Sequence, residues 1–150
     1  MSTTTIASPT ARAIPDGTRP VGLASYLAPT GRLLYSGIFL FAGPSHFNPA
    51  MIGYAAAAGV PLASIAVPLS GIIAFVGGLS IALGYKARWG AWLLVLFLVP
   101  VTLTMHRFWG LSDPQSALMH QAMFIKNLAL LGAALLITVV GSGPRSLEPA

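Results

Sequence analysis

The chain contains no cysteine. That absence removes disulfides, thiolate metal sites, iron–sulfur clusters, c-type haem attachment and any dithiol relay, and with them the small four-helix thiol oxidases. Acid is almost as scarce, since Asp16, Asp113 and Glu148 are the three carboxylates of 150 residues. Charged residues make up 7% of the chain, 55% of it is hydrophobic, and mean hydropathy is +0.79. Soluble domains carry about 25% charged residues. The composition is that of an integral membrane protein, whose packing in lipid does not require a large dry core. A net charge of +5 is then no sign of nucleic acid: eight cations at the flanks of apolar runs are topology determinants.

What is present is a series of apolar runs separated by proline and glycine. Residues 1–27, opening "MSTTTIASPTARAIPDGTRP", are rich in Ser, Thr and Pro and lack an apolar signal-peptide core, which predicts a disordered tail ahead of a single membrane domain over 28–148. The first span is expected over about 30–47, with Thr30 as its cap and Pro44 ending or kinking it. "NPAMIGYAAAAGVP" is too short to cross and predicts a short helix at or re-entering the interface. Further spans are expected over about 62–85, 89–108 and 118–140, each long enough for a hydrocarbon core of roughly 30 Å. Trp89 and Trp92 at one end of the third span, and Phe108 and Trp109 at the other, mark the two interfaces. Pro100 removes the helical partner of the Leu96 carbonyl and predicts a kink. Ser70, Ala74, Gly78 and Ala82 form a small-residue stripe suited to close helix packing. The predicted fold is all-α: a four-helix transmembrane bundle with a short interfacial helix between the first and second spans.

Four spans place both termini on one side. Arg12, Arg19, Arg32, Lys86, Arg88 and Arg145 then share that side against Arg107 and the deeper Lys126, so the positive-inside rule predicts cytoplasmic termini. With this topology His106 and Arg107 end the third span on the outer side, His120, Lys126 and Asn127 open the fourth there, and His46 ends the first there. Lys126, about 12 Å into its helix, is costly enough to be expected to face the interior with a partner. No carboxylate lies within a span, which excludes a proton-coupled multidrug exporter. A site of His, Arg, Lys and Asn suits an acceptor-rich ligand such as a quinone carbonyl, with its apolar body between the helices.

Each of these residues also has a plainer reading. Arg107 can snorkel to lipid phosphate, His46 can serve interface polarity, and His120 lies in the first, wet turn of its helix. Asn127 can join helices, and Lys126 can belong to a buried polar network. No histidine pair has the i,i+4 spacing of a bis-imidazole site, so no metal or haem is expected, and no glycine-rich fingerprint points to flavin or dinucleotide.

The order "GRLLYSGIFLFAG", "NPAMIGYAAAAGVP", "GGLSIALGYKAR", "MHRF", "FIKNLALLGAALL", "GSGPRSLE" resembles the DoxX family of small bacterial four-helix membrane proteins, over about residues 31–148. The resemblance implies an inner-membrane subunit linked to redox work. It places the family's His-Arg pair on His106 and Arg107 and its Lys-Asn pair on Lys126 and Asn127. It also shows Ala74 where many relatives have a glutamate, and His46 where many have a lysine. The expected function is quinone or apolar-carbonyl binding by His106, Arg107, Lys126, Asn127 and His46 in a bacterial inner-membrane protein. Electrons would come from a partner protein, since nothing in the chain holds flavin, haem or metal. Self-association is compatible with this reading, and whether the chain is itself catalytic stays open. The alternative is a non-catalytic scaffold or lipid-handling protein.

Overall fold

The computed structural model describes residues 22–148, so the expectation of disorder over most of the tail lies outside the described residues. Among the described residues the chain is all-helical, with α1 (Ala24–Ser45), α2 (Pro49–Ala57), α3 (Ala63–Leu83), α4 (Ala87–Met105) and α5 (Pro114–Val140). Of these, α3, α4 and α5 are long and apolar enough to cross a membrane.

Local chemistry accounts for most of the boundaries. Asn48 caps α2 by accepting from the Ala50 amide at 2.9 Å, with Pro49 in the first turn, where a missing N–H costs nothing. Asp113 caps α5 in the same way through the Ser116 amide at 2.8 Å, with Pro114 behind it, so α5 begins ahead of the expected start at 118. The α1 helix starts at Ala24 rather than at a Thr30 cap and runs through both Pro29, its sixth residue, and Pro44, in its last turn. Residues 24–27 are therefore helical and not part of a tail.

Helix α1 packs on α3, α3 on α4, and α4 on α5, with α2 lying against α3. Close approach follows from glycine. A Cβ on Gly71 would stand 2.7 Å from the Gly43 carbonyl of α1, and one on Gly77 would stand 2.9 Å from the Gly90 carbonyl of α4. The expected stripe contributes Ala74, which is fully buried, and Gly78, but Gly71 and Gly77 carry the tightest contacts, so α3 offers a small-residue face to each neighbour. The core between the helices holds Phe39, Ile81, Leu94, Leu98 and Ala134. A smaller cluster of Ala55, Ala63 and Val67, backed by Ile52, Val60 and Met105, seats α2 across the ends of α3 and α4. Between α1 and α5, the Tyr35 hydroxyl donates to the Leu130 carbonyl at 3.0 Å.

At the opposite end from α2, residues 141–148 fold back as a strap. The Leu147 and Glu148 amides donate to the Leu83 and Gly84 carbonyls, and Arg32, nearly buried, donates to the carbonyls of Ser142 and Arg145. Arg145 in turn covers the Tyr26 ring, 3.8 Å from its centroid. The basic residues of that end thus tie α1, the α3–α4 turn and the C-terminal segment together.

Candidate functional site

The residues that arrive at the α2 end come from three elements. His106 is the first residue past α4, and Arg107 follows it. On α5, His120, Phe124, Asn127, Leu131 and Ala134 share the inward seam at helical spacing, with Asn127 5% exposed and Ala134 fully buried. Lys126 lies about 100° away from Asn127 on the same helix and is exposed. This corrects the expectation that Lys126 faces inward. Adjacent helical positions cannot both point at the same neighbour, and the neutral amide is the cheaper of the two to bury.

The His106 and His120 rings lie 5.8 Å apart at a tilt of 57°. Their Nδ1 atoms are both shielded and without a hydrogen-bond partner among the described residues. Burial first, then the nearby Lys126 charge, then His120, hold the pKa of His106 below the ordinary imidazole value, which favours its neutral form. The His120 Nε2 faces the Tyr54 hydroxyl of α2 at 3.5 Å. Arg107 reaches the same helix, donating from Nη2 to the Ala58 carbonyl at 3.1 Å, where a cation also meets the negative end of the α2 dipole.

Between these groups is a cavity of about 280 Å³. Tyr54, Ala57 and Ala58 form its α2 wall; Thr104, Met105 and Arg107 form the wall from α4, with His120 beyond. The loop beside it is held by Phe108, Trp109 and Phe124, whose rings meet edge to face at 5.3 to 5.8 Å.

The predicted cluster is therefore only partly assembled. Of the predicted residues Arg107 alone lines the cavity, His106 packs on His120 beside it, Asn127 is buried on the inward seam of α5, and Lys126 is exposed at the flank. His46 is apart from the cavity: its Nδ1 bonds to the Ala42 carbonyl at 2.8 Å, its ring meets Phe97 at 5.8 Å, and it packs where Gly71 leaves room. His120, which the sequence reading placed in wet surroundings, is instead packed on His106. Tyr54 and Thr104 were missed, because single polar residues on a short helix and at a helix end carry no periodic signal.

These features define a helical membrane protein with a small, open, largely apolar hollow at one end, edged by Tyr54, Thr104, Arg107 and His120. The chain belongs to the DoxX family, whose model matches residues 27–107 and so covers α1 to α4 together with His46, His106 and Arg107. It is also similar to the ER-derived vesicles protein ERV29 of Saccharomyces cerevisiae, at 26% identity over 77 residues, which is 51% of this chain and 24% of that protein. The chain thus matches about a quarter of that relative's length. No solved structure matches it.

Proposed function

We propose that this DoxX-family membrane protein binds a quinone or similar apolar carbonyl compound in the cavity between α2, the end of α4 and the start of α5. In this reading α1, α3, α4 and α5 cross a bacterial inner membrane as a four-helix bundle, α2 lies at the outer interface, and the strap with its cations faces the cytoplasm. The distribution of charge supports that orientation: Arg32, Lys86, Arg88 and Arg145 gather at the strap end, while Arg107 stands at the other.

The observation that carries the reading is the cavity itself. Its volume of about 280 Å³ is close to the lower bound of roughly 300 Å³ for small-molecule sites and suits a single-ring head. Arg107 and Tyr54 can donate to a carbonyl oxygen, while Met105 and the alanines of α2 supply apolar contact. A bound quinone would supply two-electron redox capacity. The chain's own part is to bind and orient it, with electrons delivered by a partner protein.

Titration of detergent-purified protein with a decyl-benzoquinone tests this, because Trp109 lies beside Arg107 in a neighbouring hollow and its fluorescence reports on the site. The expected result is saturable quenching that Arg107→Met weakens by about tenfold, the loss of one charge-assisted hydrogen bond. Absence of saturable quenching would remove the quinone reading. The scaffold alternative would then lead. It draws support from the similarity to a vesicle protein, which lies in a chain several times longer than the shared segment.

A further inference from the structure

Every described cation at the strap end bears on residues 141–148. Arg32 donates to the Ser142 and Arg145 carbonyls, Lys86 pairs with Glu148, and Arg145 belongs to the segment itself. Arg88 completes the set, its Nε lying 3.0 Å from where a Cβ on Gly141 would stand. Arg88 and Arg32 thus reach consecutive residues of the strap, Gly141 and Ser142. Against these cations the segment supplies one carboxylate, Glu148, and Lys86 already engages it. Carbonyls and the Tyr26 ring orient a guanidinium but carry no net charge, so among the described residues Arg32, Arg88 and Arg145 have no counter-ion.

Arg32 shows the consequence of that imbalance. It is 8% exposed, and its Nε is shielded and without a hydrogen-bond partner among the described residues. A desolvated cation with no acid beside it is costly in apolar surroundings. Arg88 is exposed, so an anion from outside can bond to it directly and ease the buried charge through its field. Next to Arg88, the rings of Tyr85, Trp89 and Trp92 each expose more than half of their surface, as amphipathic rings do at headgroup level. We infer that the strap end is a docking surface for an acidic phospholipid, its phosphate on Arg88 and its acyl chains along α4 beside Trp89 and Trp92. A zwitterionic lipid carries its own cation and offsets none of the excess. The preference is therefore for net negative charge, whichever leaflet the strap faces.

Trp89 and Trp92 report on this surface once Trp109 is replaced by Phe. Protein in phosphatidylcholine bilayers is mixed with brominated phosphatidylglycerol or brominated phosphatidylcholine, whose bromines quench an indole on contact. The acidic lipid should be preferred by about fivefold or more, the effect of roughly one cation at a membrane surface, and the preference should shrink in high salt. Arg88→Gln should lower it about fivefold, with thermal unfolding in phosphatidylcholine alone unchanged as the check on folding. Lys126→Gln removes a charge at the other end and should leave the preference intact. Equal quenching by the two brominated lipids would overturn the docking surface. A preference that survives Arg88→Gln, or falls as far in Lys126→Gln, would overturn its placement at Arg88. Loss of the preference on adding millimolar inorganic phosphate would overturn the lipid as occupant and make this a site for a soluble anion.

Discussion

The Lys86 ammonium lies 3.3 Å from a Glu148 carboxylate oxygen, so the α3–α4 turn is joined to the C-terminal strap by an ion pair. The other carboxylate oxygen accepts from the Lys86 amide and from the Ser142 hydroxyl, each at 3.1 Å. Burial acts to raise the Glu148 pKa, but these hydrogen bonds and the Lys86 charge outweigh it and hold it below the ordinary value. A carboxylate depressed in the folded state contributes stability that is complete above its unfolded pKa and is lost as pH falls through the folded one. The hydrogen-exchange protection of residues 141–148, taken relative to the intrinsic rate at each pH, should therefore fall on acidification through and below the usual carboxylate range. In Glu148→Gln the protection should already be low at neutral pH and change little with acid. An identical pH response in both proteins would show that another group latches the strap.

Gly84 allows the strap to close. It sits at φ +63°, and a Cβ there would stand 2.7 Å from Arg32 Nη1 and 2.6 Å from the Ser146 Cβ. Gly84→Ala should lower stability by about 1–3 kcal/mol through backbone strain and displacement of the strap together. Gly132→Ala on α5 meets nothing within 4 Å and has no positive φ to strain it. It should be neutral or stabilising by about 0.5–1 kcal/mol from helix propensity alone. Thermal unfolding in detergent distinguishes the pair, and equal effects would mean that the strap contributes nothing at Gly84.

Much of this architecture was legible in the sequence. Proline and glycine punctuation separated the five helices, and the stretch from Asn48 to Pro61 read as a helix too short to cross. The gathering of His106 and Arg107 at one end followed from span order and charge. Facing was less legible: whether Lys126 or Asn127 points inward depends on where α4 stands around α5, and neither residue's own chemistry fixes that angle. The strap was invisible as structure because "GSGPRSLE" has no periodicity; its order comes from carbonyls that Arg32 collects across the fold. Tyr54 and Thr104 entered the site through the seating of α2 on Ala63 and Val67, a tertiary fact with no local signature.

Arg107 supports α2 as well as the cavity. Its bond to the Ala58 carbonyl is exposed, so its contribution is modest, about 0.5–1.5 kcal/mol with the helix-dipole effect included. Arg107→Met should loosen α2 without unfolding the bundle, seen as faster hydrogen exchange in residues 49–57 and unchanged exchange in α3. Arg107→Lys should preserve part of the dipole interaction but not the directed bond, giving an intermediate rate. Unchanged exchange in α2 for the methionine variant would leave the Ala55–Ala63–Val67 cluster as the sole anchor.

Lys126 separates proximity from burial. Being exposed on α5, it leaves no buried acceptor unpaired when removed, so Lys126→Met should give normal folded yield in detergent. Its charge nevertheless depresses the His106 pKa, after burial and ahead of His120, so the same substitution should move the His106 titration to higher pH. Imidazole proton signals followed by NMR report that shift directly, and Lys126→Arg should hold the titration in place. Folding should also become less acid-sensitive in the methionine variant, because a histidine whose folded pKa is depressed contributes stability that is lost as pH falls through its titration, and a smaller depression leaves less to lose. An unmoved His106 titration would put Lys126 too far away to act on the cavity, and the charge would then serve the lipid interface alone.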